Sequence, residues 1–148
     1  MTDPDALAPI VREVYVDADQ ATAYSAFADI GSWWPLETHP EEGDRTRTAI
    51  LEDRQGGRLY EVAEDGTEHE WGTIQAWEPP NRFSVIWSLH AEGATEWSVS
   101  FTPEDGRTRV VVEHIGWQTL GSGDELRATY DWQWEKLLEL FARSLQGG

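Results

Sequence analysis

From Thr46 to Glu113, hydrophobic and polar residues alternate with a period of two, interrupted at short intervals by glycine, proline, asparagine and aspartate. Such alternation marks strands with one packed and one wet face. It predicts six strands: Thr46–Glu52, Arg58–Ala63, Glu70–Glu78, Arg82–Ser88, Thr95–Thr102 and Arg107–His114. The pattern is clearest in Thr95–Thr102, where Trp97, Val99 and Phe101 point one way and Glu96, Ser98, Ser100 and Thr102 the other. Val110, Val112 and His114 share a face of the next strand, and Phe83, Val85 and Trp87 a face of the one before. A seventh strand, Ile10–Val16, is rich in β-branched residues. Gly56-Gly57, Asp65-Gly66 and Asp105-Gly106 supply positive φ, and Pro79-Pro80-Asn81 turns the chain. Connections this short favour an antiparallel meander.

Helical signals flank the strands. Asp17 with Gln20 three residues on reads as the capping box of a short helix bearing Ala21, Tyr24, Phe27 and Ala28. A second short turn or helix at Ile30–Trp34 is stopped by Pro35, and Thr38–Asp44 is a loop. Near the end Ser122 and Glu125 form another capping box. There Leu126, Tyr130, Trp134, Leu137, Leu138, Phe141 and Leu145 recur at spacings of three and four. Seven strands with one apolar face can bury it only under this long helix, because nothing else in the chain is large enough. The expected fold class is α+β: a seven-stranded antiparallel curved sheet, two short helices and a long C-terminal helix. Residues 1–9 are expected to be a disordered tail and 10–148 a single domain.

Composition sharpens this picture. Nine tryptophans are spread over the whole chain. Each indole has a large apolar body and a single polar handle, so most belong inside or along a hollow. There is no cysteine, which excludes disulfides, thiolate chemistry and cysteine-ligated metal. The opening MTDPDALA has neither the basic nor the apolar region of a secretory signal, and no stretch approaches the roughly 20 apolar residues of a membrane span. A cytoplasmic protein without membrane insertion is expected. The net charge is −17, and only Lys136 among the 11 basic residues is a lysine. That field repels phosphate backbones and anionic lipid, which argues against nucleic-acid binding.

Candidate chemistry is sparse. His114 lies on the packed face by parity with Val110 and Val112. It can serve a ligand as hydrogen-bond partner or general acid or base, or be a buried histidine satisfied by a neighbour such as Tyr130. Glu61 alternates with Leu59, so it either points inward, paired with Arg12, or lies with Arg12 on the wet face while Arg58, Tyr60 and Val62 pack inside. Trp33 and Trp34 sit where one can pack inside and the other act as a lid. No G-x-S-x-G elbow, H-E-x-x-H pair or phosphate-cradling glycine loop occurs, and the acidic run Glu41–Asp44 lacks calcium-loop spacing. No metal and no cofactor are expected.

The segments VREVYVDADQATAYSAFADIGSWWP, GGRLYE at Gly56–Glu61, WGTIQAWEPPNRFSVIW at Trp71–Trp87, TRVVVEHIG at Thr108–Gly116 and the closing helix together resemble the START-like (SRPBCC) superfamily. Its fold is the helix-grip fold of the birch-pollen allergen. The likeness spans residues 10 to 145 and is greatest to the branch named after the activator of heat-shock protein 90 ATPase. It implies an elongated cavity between the sheet and the last helix, entered past the short helices. Lipid carriers, hormone receptors, polyketide cyclases and chaperone co-factors share the superfamily. Its chaperone-activating members use a further N-terminal domain not found in these residues.

Together these readings make the domain a binder or carrier of a small hydrophobic or aromatic molecule, as monomer or homodimer. Its expected lining is Trp34, Trp71, Trp87, Trp97, Val99, Val112, His114, Trp117, Tyr130 and Trp134. The first alternative is a cyclase, aromatase or dehydratase using His114, Glu61 and Tyr130 for proton transfer. The second is a chaperone co-factor or stress-response protein with a protein partner.

Overall fold

The computed structural model describes residues 8–34, 46–63, 65–88, 93–120 and 123–146. In chain order they form β1 (Ile10–Val16), α1 (Gln20–Ala28), a 3-10 turn (Ile30–Ser32) and β2 (Thr46–Leu51). Then come β3 (Arg58–Ala63), β4 (Glu68–Glu78), β5 (Arg82–Trp87), β6 (Thr95–Glu104) and β7 (Arg107–Ile115). A second 3-10 turn (Trp117–Thr119) leads into α2 (Gly123–Gln146). One antiparallel sheet holds all seven strands in the order β1-β7-β6-β5-β4-β3-β2, a meander that β1 joins at its far end. This is the α+β helix-grip architecture.

The strands form where the alternation placed them. In β6 Thr95, Trp97, Val99 and Phe101 are buried while their neighbours are not, and in β7 Thr108, Val110, Val112 and His114 follow suit. Register comes from the β6–β7 hairpin, where Glu104 pairs Arg107 across Asp105-Gly106, both at positive φ. Two such residues form the turn whose twist matches that of the strands. Counting back from it sets Val99 opposite Val112 and Trp97 opposite His114. Two bounds differ from the sequence reading by two residues, β4 starting at Glu68 rather than Glu70 and β6 running on to Glu104, while β2, β5 and β7 each end one residue away from the expected bound.

The cap of α1 is Asp19, not Asp17. Its carboxylate accepts from Thr22 N at 2.7 Å. Gln20 is the first helical residue and so cannot close a box. Its amide instead donates to Phe101 O at 2.7 Å, tying α1 to β6. The helix buries Ala23, Tyr24 and Phe27 against the sheet. The following turn lies so close to β2 that a Cβ on Gly31 would meet Ala49 O at 2.6 Å. Glycine there lets the turn seat Trp33 and Trp34 over the sheet.

Along α2, Tyr130, Trp134, Leu137, Leu138, Phe141 and Ala142 are buried, and Leu126 and Leu145 flank them. Trp132 and Leu140 face outward. The helix is tied to β1 by Arg12, which donates to Asp131 Oδ1 at 2.9 Å, and to the chain before β1 by Arg127, which donates to Ala8 O. Residues 1–7, the Thr38–Asp44 loop and Ser122 of the expected second capping box lie outside the described residues.

Candidate functional site

Between the inner face of the sheet and α2 lies a cluster of five indoles carried by three strands, the long helix and a turn. Trp71 comes from β4, Trp87 from β5, Trp97 from β6 and Trp134 from α2. Trp34 follows the Ile30–Ser32 turn, its backbone N–H bonded to Ile30 O at 3.0 Å. Its ring centroid is 5.8 Å from Trp71, 6.3 Å from Trp87 and 6.0 Å from Trp134. Trp97 lies 5.2 Å from Trp134 and 6.1 Å from Trp87. These separations are ring-to-ring contact. At one end Phe27, Trp33 and Phe141 close the cluster, with Trp33 4.9 Å from Phe27 and 5.2 Å from Phe141.

Each buried indole N–H needs an acceptor, and most have one. Trp71 donates to Glu61 Oε1 at 2.8 Å and Trp87 to Tyr130 Oη at 2.9 Å. Trp117 donates to the carbonyl of His114 at 3.0 Å and Trp33 to that of Phe27 at 3.2 Å. Trp134 donates to His114 Nδ1 at 3.0 Å.

That last bond fixes the state of the histidine. An indole nitrogen can only donate, so Nδ1 must accept and carries no proton. The neutral ring then holds its proton on Nε2, which lies 2.7 Å from Thr95 Oγ1 and donates to it. A second ring proton would set N–H against N–H at Trp134. His114 is fully buried, 4.3 Å from the Trp117 ring and 5.3 Å from Tyr130. With both nitrogens engaged, it acts in this arrangement as a clamp between sheet and α2, not as a free base.

Glu61 is fully buried and points inward with Leu59 and Ala63, while Arg58, Tyr60 and Val62 lie on the outer face. The Arg12 partnership is overturned. Arg12 stands on the edge strand β1, away from β3 in the strand order, and its partner is Asp131. That hydrogen bond holds the Arg12 guanidinium above its ordinary pKa.

The expected lining residues are all buried. Val99 and Val112 form a cross-strand pair on the sheet floor. His114 and Tyr130 converge with Trp117, and Trp87 links Tyr130 to the Trp71–Glu61 end. Sequence reasoning missed Thr95. Its signal was available, since Thr95 shares the face of Trp97 and lies diagonal to His114 once the Asp105-Gly106 turn fixes register. His39, His90 and Glu41–Asp44 fall outside the described residues, among which no cluster of three or more histidine, cysteine or acidic side chains could hold a metal. No helix among them is long and apolar enough to cross a membrane. A separate open groove of about 880 Å³ runs between the end of α1, the Ile30–Ser32 turn and β2, floored by Trp77 and bordered by Asp29 and Asp53.

The family model described as Activator of Hsp90 ATPase homolog 1-like protein matches residues 17–146. The chain belongs to this family. Its fold is accordingly that of the START-like superfamily. Similar solved structures include the anthrahydroquino-γ-pyrone synthase Txn09, 27% identical with a TM-score of 0.61 over 95% of this chain and 99% of that one. CalC, a self-sacrificing resistance protein from Micromonospora echinospora, is 26% identical with a TM-score of 0.68 over 95% of each chain. The Aha1 dimer from Colwellia psychrerythraea is similar in fold alone, at 16% identity and a TM-score of 0.69 over 95% of this chain and 98% of that one. No curated protein matches the sequence.

Proposed function

We propose that this domain binds a flat aromatic small molecule in the ring-lined interior beneath α2, taken up in exchange for the indole of Trp34. The observation that carries the proposal is the position of Trp34. Of the five central indoles it alone is held by neither sheet nor long helix, yet it sits against three of the others. A ring on a turn can leave and be replaced more readily than one on a strand, because few backbone hydrogen bonds must break. The remaining walls, Trp71, Trp87 and Trp134, then offer faces and edges to a planar guest. Among the relatives, the name of Txn09 denotes fused-ring chemistry, which fits such a guest.

Binding is preferred to turnover. Proton transfer needs a group with a free nitrogen or oxygen within reach of substrate. His114 spends both ring nitrogens on Trp134 and Thr95, and Glu61 accepts from Trp71.

The test is a titration of intrinsic fluorescence with a fused tricyclic aromatic, with a saturated fatty acid as the shape control. Saturable quenching by the aromatic and none by the fatty acid is expected. Trp34→Ala removes the competing ring, so if the open state is populated at no more than about 10%, affinity rises at least about tenfold. Absence of saturable quenching across a panel of flat aromatics, or weaker binding by Trp34→Ala, would overturn the proposal.

A further inference from the structure

Among the described residues, two buried side-chain polar atoms have no hydrogen-bond partner, Trp97 Nε1 and Ser84 Oγ. They differ in kind. Ser84 has the opposite parity to Phe83 and Val85 and stands between Ala76 and Ser98 on the outer side of the sheet. Trp97 is on the inner face, fully buried, opposite His114 and Val85 and directly beneath Trp134. Its surroundings are rings: Phe27 at 6.3 Å, Phe83 at 5.9 Å, Trp87 at 6.1 Å and Trp134 at 5.2 Å between centroids. Ring faces are weak acceptors at best. Five other buried indoles in this interior each reach an oxygen or nitrogen acceptor, so the unpaired N–H is the exception in a set otherwise satisfied.

A buried donor left without an acceptor disfavours the folded state and calls for an explanation. Phenylalanine would place an aromatic ring here with no polar atom to leave unpaired. Trp97 also shares two ring neighbours, Trp87 and Trp134, with Trp34. A guest in the place of Trp34 therefore borders the same rings that border Trp97.

We infer that Trp97 Nε1–H is a recognition donor for a carbonyl-type oxygen on the aromatic guest, so that the preferred class is quinone-like or pyrone-like rather than plain hydrocarbon. This rests on the binding reading above. The donor is specific in sign. It rewards an acceptor and gains nothing from a hydroxyl hydrogen or an ammonium group, because an indole nitrogen cannot accept.

The experiment compares two guests of the same outline, 9,10-anthraquinone and anthracene, against the full chain and Trp97→Phe. The readout is the ratio of their dissociation constants. The quinone preference of the unaltered protein should fall about tenfold in Trp97→Phe, the value of one buried hydrogen bond. The space opened by the smaller ring favours both guests alike and cancels in the ratio. An unchanged ratio, with both guests bound, overturns the inference and leaves the binding reading standing. Binding of neither guest to the unaltered protein overturns both. Should Trp97→Phe fail to fold, the indole ¹⁵N–¹H spectrum of the unaltered protein takes its place. The Trp97 cross-peak should move downfield with anthraquinone and not with anthracene, and a peak that responds to neither or to both equally refutes the donor role.

Discussion

Replacing His114 with alanine removes both arms of the clamp at once. Trp134 Nε1, which donates at 3.0 Å, and Thr95 Oγ1, at 2.7 Å, lose their partner in an interior where His114 and Trp134 are at most 1% exposed. Each orphaned group costs about 1–3 kcal/mol. The vacated ring adds about 1–2 kcal/mol at roughly 24 cal/mol per Å³ of cavity. The loss should therefore be about 3–8 kcal/mol, a large share of the roughly 5–15 kcal/mol that holds a domain together. In urea, with a slope of about 2 kcal/mol per molar, the midpoint falls by about 1.5–4 M. Unfolding should be followed by far-ultraviolet circular dichroism, because the substitution also alters the environment of Trp134. His114→Asn separates the two arms. Its side-chain oxygen takes the place of Nδ1 and still accepts from Trp134, while the arm to Thr95 is lost, so it should recover about 1–3 kcal/mol relative to alanine. In the unaltered protein, ¹⁵N spectra of the imidazole should show Nδ1 as the unprotonated nitrogen. A loss under about 1 kcal/mol for alanine, an asparagine variant no better than alanine, or a protonated Nδ1 would each refute the clamp.

Three further outcomes follow from other parts of the molecule. Burial pushes the Tyr24 phenol up to about 12, and the neutral form is the one the fold favours. Its contribution is therefore complete below the unfolded value near 10 and is lost as pH climbs through 12. In Tyr24→Phe the alkaline decline in stability that begins above pH 10 should shrink, and denaturation midpoints between pH 9 and 12 check this. Asp19→Ala should lower Tm by about 3 °C through loss of the cap to Thr22, while Asp17→Ala should leave it unchanged, as scanning calorimetry would reveal. With a net charge of −17, raising sodium chloride from about 10 mM to about 150 mM shortens the screening length from about 30 Å to about 8 Å and should raise Tm. A Tm indifferent to salt would mean the self-repulsion is negligible.

The sheet was legible because its physics is local. Period-two alternation in Trp97–Phe101 and Val110–His114 fixes which side chains point inward, and Asp105-Gly106 fixes how the two strands align. The helix α1 was legible, but its cap was not. Asp17-Ala-Asp19 offers two caps of equal chemistry, and the choice falls to the one from which Gln20 can reach Phe101 O on β6. The partners of Glu61 and Arg12 were illegible for a related reason. Sequence parity says which face a residue takes, not which neighbour waits there. Glu61 meets an indole from the adjacent strand β4, and Arg12 meets Asp131, which is distant in sequence and carried by α2. The crowding of Trp34 into the centre depends on the turn at Gly31 resting on β2, a contact that no periodicity encodes.

The spacing of the indoles governs what light can report about this protein. Neighbouring inner rings lie between 5.2 and 6.3 Å apart, close enough for an excited state to hop from one to the next before it emits. The cluster thus fluoresces as a shared antenna. A quencher touching any one ring drains its fellows too, which makes occupancy easy to detect at low concentration. The same sharing erases position, so emission alone can count guests but never tell which wall they touch.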